Sequence, residues 1–375
     1  MEAETCDVAV VGGGPAGAAA AHALAGWGHT VVLLERGAHE APRVGETLAP
    51  RARPALHALG LPDPDRVLPA LPNYADVSCW GRARAEVSSF MFDPYGHGWH
   101  LDRAAFDRLL CERAGHAGAD VRTRARVRGV IRGEGGHPWR LQVQQGEDSV
   151  HSLAARAVID AGGRSGGLWR SLGARREVLD RLVAVSRVFQ RHGAGDHGHT
   201  WVEADEGGWW YSAPLPAARR IVMRMTDADL CHAAGLHATA AWDDAFARSV
   251  ATRQYTEDAS PLSPPCVHAA HSFLLHAASR GDARWLACGD AAMATDPLSA
   301  SGIVRALEDG LSAASAMQAW LQGDDTQARA RDQALLSAFS AYRHERATAY
   351  ALEKRWPDAP FWQRRHTMAP SRAAA

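Results

Sequence analysis

The glycine pattern near the start of the chain constrains the fold more than any other feature. Cys6 to Val11 is short and apolar, as in a buried strand, and it runs into a turn with the spacing G-x-G-x-x-G on Gly12, Gly14 and Gly17. The first glycine permits a tight turn, the second lets the backbone approach a pyrophosphate, and the third lets a helix pack on the strand. The pattern predicts an α/β fold that opens with a dinucleotide-binding unit.

The residues after the turn complete this unit. A small-residue helix is predicted over Ala18 to Ala25 and a second strand over Thr30 to Leu34, which ends at Glu35. Phosphates bind well at a helix N-terminus, where N–H groups are unpaired. A carboxylate at the end of the second strand accepts ribose hydroxyls and disfavours a 2′-phosphate. We therefore expect FAD or NAD rather than NADP.

A second nucleotide-binding pattern lies far along the chain and favours FAD. Arg284 to Cys288 is predicted to be a strand, followed by Gly289 and Asp290, a loop over Asp296 to Gly302, and a helix. The acid suits the ribityl arm of a flavin, and a helix N-terminus stabilises negative charge on a reduced flavin ring. The helix is indicated by an apolar stripe on Ile303, Leu307, Leu311 and Ala314.

Three further motifs resemble the flavin monooxygenase superfamily, which includes aromatic hydroxylases, flavin-dependent halogenases and geranylgeranyl reductases. They are Val44 to Thr47, Leu101 to Asp107, and Asp160 to Ser165. The resemblance covers nearly the whole chain and implies a bound FAD. The residues expected to contact it are Gly12, Gly14, Pro15, Ala16, Gly17, Glu35, Arg36, Gly45, Glu46, Thr47, Arg103, Gly162, Gly289, Asp290, Pro297, Ser301, Gly302 and Ile303.

The chain departs from the superfamily pattern at two places. Gly162 stands where aromatic hydroxylases carry an aspartate, so the electron source stays open between external NAD(P)H and a separate flavin reductase. Ala300 or Ser301 stands where relatives carry a second glycine before the flavin-facing helix. The backbone there either approaches the ring less closely or is shifted for a different substrate.

A narrower resemblance concerns the stretches Gly96 to Arg103, Gly208 to Pro214 and Arg355 to Trp362. They are similar to maturation flavoproteins that hydroxylate a tryptophan within a partner protein, building the tryptophylquinone cofactor of amino-acid oxidases and amine dehydrogenases. This resemblance implies aromatic hydroxylation through a flavin C4a-hydroperoxide. It also implies a quinoprotein oxidase or dehydrogenase precursor as the partner; a small aromatic molecule is the alternative substrate.

The expected architecture is a Rossmann-like FAD-binding domain of class α/β, joined to an α+β substrate domain built on a β-sheet, as in aromatic hydroxylases. Within the first domain, strands are expected over Val121 to Ile131 and Trp139 to Gln144; in the second, loops are expected over Gly193 to His199 and Ala259 to Pro265. The predicted FAD-binding domain is discontinuous, the substrate domain lies between its parts, and a helical segment ends the chain. We expect the FAD-binding domain at 1–72, 100–175 and 276–325, and the substrate domain at 73–99 and 176–275. The C-terminal helical segment is expected at 326–375.

Four residues are candidates for lining the catalytic pocket: His97, Trp99, His100 and Trp210. For the two histidines, packing and hydrogen bonding between the domains is the alternative role. The C-terminal aromatics Trp356, Phe361 and Trp362 are interpreted as packing anchors or, if exposed, as a surface for a partner. The cluster His192, His197 and His199 lacks an acidic or thiolate partner at standard spacing, so no metal site is predicted.

Other functions stay open at this stage. Halogenases of this superfamily use a lysine to capture hypohalous acid, but Ala75 to Phe90 contains none, and Lys354 is the only lysine in the chain. A small-molecule hydroxylase, a halogenase, a geranylgeranyl-type reductase and a non-catalytic FAD-bound assembly factor remain alternatives. The near-neutral net charge of −1 argues against nucleic acid as the partner. Without an apolar span or signal peptide, we expect a cytoplasmic protein that does not bind membranes.

Overall fold

A computed structural model describes residues 4–133, 138–146, 149–193, 198–276 and 284–367. His197, most of the loop expected over Gly193 to His199, and the end of the chain after residue 367 lie outside the described residues. The helices are α1 (Pro15–Gly26), α2 (Arg53–Ala58), α3 (Arg103–His116), α4 (Leu168–Ser171), α5 (Ala228–Ala233), α6 (Thr239–Ala247), α7 (Gly302–Leu321), α8 (Thr326–Ala351) and α9 (Pro360–His366).

The strands of the first half of the chain are β1 (Glu4–Val11), β2 (Val31–Leu34), β3 (Thr47–Leu48), β4 (Ala70–Asn73), β5 (Ala75–Cys79), β6 (Glu86–Ser89), β7 (Gly98–Leu101), β8 (Asp120–Arg122), β9 (Ala125–Arg132), β10 (Trp139–Gln145) and β11 (Ser149–Asp160). Those of the second half are β12 (Arg175–Val178), β13 (Leu182–Arg191), β14 (His199–Asp205), β15 (Gly208–Leu215), β16 (Arg219–Asp227), β17 (Ala259–Pro261), β18 (Cys266–Ala269), β19 (Phe273–His276), β20 (Trp285–Ala287) and β21 (Met293–Ala294).

The first large sheet is parallel at its centre and antiparallel on one side. Its order is β8-β2-β1-β11-β10-β9, and β20 also pairs with β11. The long strand β11 makes this possible, because its first half pairs antiparallel with β10 and its end pairs parallel with β20. The carboxyl ends of β1, β2, β11 and β20 therefore meet at one edge, which is where α/β sheets bind their ligands.

Helix α1 is buried among this sheet, α3 and α7. Its sequence is almost entirely alanine and glycine, and ten of its twelve residues are buried. Only small side chains let a helix be covered on every side by neighbours this close. The composition of α1 thus follows from its central position.

The second large sheet has the order β17-β13-β16-β15-β14-β5-β6, with β18 pairing with β13. One face of this sheet is apolar, and α8 and α9 cover part of it with the buried residues Tyr350, Phe361 and Trp362. Phe361 and Trp362 are therefore packing anchors and are not exposed for a partner. Two further sheets have three strands each, in the orders β3-β7-β4 and β12-β19-β21. The domain boundaries given above remain a prediction.

Two predicted elements are wrong in detail. The strand expected over Val121 to Ile131 is divided between β8 and β9, because Arg124 takes a left-handed conformation with φ of 53° and turns the chain. The loop expected over Ala259 to Pro265 begins with the short strand β17, since Ala259 to Pro261 pair with the end of β13. Short edge strands carry little periodicity, so the sequence does not reveal them.

Candidate active site

The turn between β1 and α1 is built from backbone alone. Gly12 has φ of +114°, and a Cβ at this position would lie 2.3 Å from the carbonyl oxygen of Ala161. A Cβ on Gly17 would lie 1.9 Å from the Gly12 oxygen. Gly14 caps α1 without any side-chain hydrogen bond, and a Cβ there would meet nothing within 4 Å. With Pro15 at the first helical position, the N-terminus of α1 is open to a phosphate, as a dinucleotide requires.

The acid at the end of β2 is held by this turn. Glu35 is buried, and its carboxylate accepts hydrogen bonds from the N–H groups of Gly13 at 2.7 Å and Gly37 at 2.9 Å. Arg43 pairs with it at 3.1 Å and also bridges to Asp107 at 2.9 Å. The neighbouring Arg36 is exposed and donates to the Ser165 hydroxyl at 3.2 Å. Glu35 thus lies where a ribose bound at the turn would meet it.

The second nucleotide-binding segment packs against α1. The Gly289 N–H donates to Asp309 of α7 at 2.6 Å, and Asp309 also accepts from the buried Arg331 of α8 at 2.6 Å. A Cβ at Gly289 would lie 2.7 Å from the Ala16 side chain. This turn is therefore held against α1 by two later helices.

Asp290 is ion-paired from two sides. Arg164, which follows β11, approaches it at 3.0 Å, and Arg305 of α7 does so at 3.3 Å. Arg164 also donates to the carbonyl of Thr295 at 2.7 Å, tying this acid to the loop that leads to α7. On the same side of the sheet, the Gly162 N–H donates to Asp160 at 3.0 Å. Sequence reasoning did not select Arg164 or Arg305, since nothing local marks them as partners of Asp290.

The loop before α7 is held by side chains on one face of α8. Asp296 is buried, and it accepts from Tyr350 at 2.8 Å and from Arg346 at 3.2 Å, while its own N–H donates to the Tyr342 hydroxyl at 2.8 Å. Tyr342, Arg346 and Tyr350 recur every four residues, so they share one face of the helix. Sequence reasoning missed this face. The spacing is visible in the sequence, but its partner is not.

The end of this loop meets the predicted departure from the superfamily pattern. Ala300 has φ of 47°, in the left-handed region that favours glycine. Pro297 lies one turn earlier, and Ser301 precedes α7 with its hydroxyl 2.9 Å from that of Ser299. Gly302 begins α7 and is exposed, whereas Ile303 is buried. Of the two positions where a glycine was expected, Ala300 is thus the one with a glycine-like backbone conformation.

The segment after β2 contributes a second loop beside the sheet. Gly45 has φ of +88°. Arg103, at the start of α3, donates to the carbonyls of Val44 at 3.1 Å and Gly45 at 2.8 Å. Arg103 thus fixes the loop through its backbone, with Asp107 as its ion-pair partner at 3.2 Å.

An apolar surface lies between these loops and the second sheet. The sheet contributes Ala213, Ile221 and Met223, and the loops contribute Val44 and Leu298. Tyr211 and Leu215 of β15 are partly buried in the same cluster. These side chains pack closely together, and apolar surroundings of this kind exclude water from a reactive cofactor.

The polar end of this surface comes from Glu46, Thr47 and Tyr211. The Tyr211 hydroxyl is 2.7 Å from that of Thr47, which lies 3.3 Å from Nδ1 of His100. Burial raises the pKa of the fully buried Glu46 carboxyl, and burial likewise raises that of Tyr211. Burial lowers the pKa of His100 to about 3, so this histidine is neutral near pH 7.

Two of the four candidate pocket residues face elsewhere. Trp210 packs on the opposite face of the sheet with Trp242, and its Nε1 donates to Asp205 at 2.8 Å. Side chains alternate along a strand, so it is Tyr211 that faces the loops of Val44 and Leu298. Trp99 is buried in the core around α1, where its Nε1 donates to Asp65 at 3.1 Å. Trp99 and Trp210 thus each lie one residue out of phase with His100 and Tyr211, and neither belongs to the apolar surface described above.

The two histidines differ in position. His100 joins the polar end described above, whereas the His97 ring packs at an angle against Tyr74 and edge-on against Trp99, with ring centroids 5.4 and 5.3 Å away. His97 therefore has a packing role in this structure.

Of the residues that the structure describes, no group of three or more His, Cys, Asp or Glu is arranged to hold a metal ion. Across the same described ranges, no helix is long and apolar enough to cross a membrane.

The features above fit FAD: an open helix N-terminus at a glycine turn, an acid at the end of the second strand, and an exposed start of α7. Comparison with known proteins agrees. A protein of Marinomonas mediterranea named LodB, described as an FAD-dependent oxidoreductase, is 30% identical over 369 residues, covering 98% of each chain.

Solved structures that are 25% or more identical include two with informative chemistry. A myxobacterial chondrochloren halogenase, CndH, superposes with a TM-score of 0.83 at 26% identity, covering 96% of this chain and 86% of its own. The peptidyl tryptophan dihydroxylase QhpG, essential for tryptophylquinone cofactor biogenesis, gives 0.74 at 28% identity, covering 97% and 79%. The model of the FAD binding domain family matches residues 5–353. The chain belongs to this family and is an FAD-dependent oxidoreductase of the monooxygenase and halogenase group.

Proposed function

We propose that this flavoenzyme hydroxylates an aromatic ring, namely that of a tryptophan within a partner protein, during tryptophylquinone biogenesis. The observation that carries the proposal is the apolar surface between Val44, Leu298 and the sheet, which ends in hydroxyl and carboxyl groups. A peptidyl tryptophan is the substrate of QhpG, which is similar over 97% of this chain. The partner would be the precursor of a quinoprotein oxidase or dehydrogenase.

Each part of the chain has a role in this reaction. FAD, when bound, supplies the oxygen-activating redox chemistry, and the residues selected above at the glycine turn, at Glu35, at Asp290 and at the start of α7 would hold it. The protein's own task is to orient the ring and exclude water. The sheet face does the second, while Tyr211 and Thr47 offer hydrogen bonds to an indole N–H or a new hydroxyl.

Halogenation is the second candidate, since the chain superposes well on CndH. The side chains argue against it. The stretch from residue 75 to 90 holds no lysine, and the single Lys354 is exposed just after α8. Within the described part of the chain, no lysine therefore lies on the apolar surface to capture an oxidised halide.

The test is co-expression with a candidate quinoprotein precursor, followed by the intact mass of the precursor under labelled oxygen gas. Hydroxylation predicts added mass from labelled oxygen on one tryptophan, and no halogen in the presence of bromide. The Asp290→Ala variant should abolish the added mass. A precursor that gains halogen, or is unchanged while a small aromatic molecule is oxidised, would contradict the proposal.

A further inference from the structure

A line of hydroxyl groups leads from the cofactor-side loop to strand β5. It begins at Glu46, whose carboxyl is buried beside Gly45 and accepts the Gly45 N–H at 2.8 Å. The Tyr211 hydroxyl lies near this carboxyl, whose Oε1 is buried without a hydrogen-bond partner among the described residues. On its other side, the same hydroxyl is 2.7 Å from Thr47 Oγ1. Tyr211 therefore connects a buried acid to the next hydroxyl group.

The line continues through two threonines to a second acid. Thr47 Oγ1 is 3.4 Å from Thr200 Oγ1, and Thr200 lies opposite Asp76 in the register of β14 and β5. Asn73 is fully buried and donates to Thr200 at 3.3 Å and to Asp76 at 3.1 Å, which fixes both groups. Asp76 is only partly buried, so this end of the line reaches towards solvent.

The groups along the line suit proton transfer. Hydroxyls both donate and accept hydrogen bonds, so each can pass on one proton as it receives another. Burial raises the pKa of both terminal carboxyls, which brings each closer to holding a proton near neutral pH. The charged and titratable neighbours are Arg103 at Glu46, His100 at Thr47 and His199 at Asp76.

We propose that Tyr211, Thr47 and Thr200 form a proton path between Glu46 at the flavin side and Asp76 on β5. In one passage, Glu46 gives its proton to the Tyr211 oxygen, Tyr211 passes its own to Thr47, Thr47 to Thr200, and Thr200 to the Asp76 carboxylate. Each hydroxyl ends with one proton, and no electrons move. The path rests on the proposed function only in placing Glu46 beside the flavin, and it serves any reaction that moves protons in this dry site.

The test is the exchange of the Glu46 proton with solvent in the FAD-bound protein without substrate. The carbonyl band of a protonated carboxylic acid shifts in the infrared spectrum on transfer to D2O, and the Glu46→Gln variant identifies which band belongs to Glu46. We expect exchange to slow by about tenfold or more in Thr47→Val and Thr200→Val, because the hydroxyl is lost while the shape is kept. Turnover should fall by about 10²-fold in the same variants.

Two controls separate the path from packing. Thr226→Val removes a buried hydroxyl on β16 that donates only to the Gly207 carbonyl, at 2.8 Å, and should leave exchange unchanged. Thr47→Ser keeps the hydroxyl, so the Glu46 proton should exchange in this variant as fast as in the wild type. Equal exchange in wild type and both valine variants overturns the path, as does slow exchange in Thr47→Ser or the lack of any Glu46 band. Because no substrate is present, none of these outcomes depends on whether a peptidyl tryptophan is hydroxylated.

Discussion

The two ends of the cofactor site are built in different ways. The turn after β1 is made from backbone, with Gly12 and Gly17 in contacts that admit no side chain. The loop before α7 is held by side chains, since Tyr342, Arg346 and Tyr350 of α8 all reach Asp296. A backbone site depends on local sequence and tolerates almost no change. A site held by distant side chains can be adjusted one contact at a time, and this difference can be tested by substitution.

The largest effect is expected at the backbone end. Gly17→Val places a Cβ 1.9 Å from the Gly12 oxygen, so α1 cannot pack on β1 and the purified protein should lack flavin absorbance. Gly14→Ala is the matched control, because a Cβ there meets nothing within 4 Å in the protein. The control should fold normally and lose only FAD affinity, measured by titration of the apoprotein. A Gly17→Val protein that binds FAD normally would contradict the backbone account.

At the side-chain end, the largest effect is expected from Asp296→Ala. It leaves Arg346 buried with only Asp180 as an ion-pair partner, at 3.1 Å. Breaking a buried ion pair by removing one partner costs about 3–5 kcal/mol, and the remaining partner places this case at the low end. Urea unfolding of the apoprotein measures the loss. A loss no larger than that of the conservative Asp296→Asn variant would show that the charge does not matter.

Asp160 tests whether the backbone end also carries an electrostatic cost. Burial raises the pKa of its carboxyl to about 6, above the unfolded value of about 4. A raised pKa means that the stabilising contribution is complete below pH 4 and is lost as the pH rises through 6. Asp160→Asn should therefore stabilise the apoprotein at pH 7 by on the order of 2 kcal/mol, with little effect at pH 4. Denaturant midpoints at the two pH values check this; equal effects at both would contradict it.

The smallest effect is expected from Tyr350→Phe. The hydroxyl donates to Asp296 at 2.8 Å and accepts from Trp209 Nε1 at 3.1 Å, so its removal leaves both partners with one hydrogen bond fewer. The expected loss is about 1–2 kcal/mol in the free energy of unfolding. FAD should stay bound, because Arg346 and Tyr342 still hold the loop. Release of FAD from this variant would mean that the side-chain end is as intolerant as the backbone end.

The sequence predicts these two ends unequally well. The turn, α1, β2 and Glu35 follow from local spacing, and so does the start of α7. The contacts of α8 with Asp296 join residues that are far apart along the chain, although the four-residue spacing on α8 is visible in the sequence. The position of Trp210 was harder to predict for another reason: an alternating strand with aromatic residues on both faces does not say which face meets the loops of Val44 and Leu298, and Tyr211 rather than Trp210 does so.

The buried helix α1 has a consequence for how the protein is made. The small residues of α1 pack against Ala161 and the strand before it, against Gly289, and against α7. The loop before α7 is in turn held by α8. A ribosome delivers these partners in that order and reaches α8 last. The nascent chain therefore carries an uncovered helix through most of its synthesis, and the cofactor can be captured firmly only after the final helices emerge. Shortening the chain before residue 350 should yield an aggregation-prone fragment rather than a smaller flavoprotein.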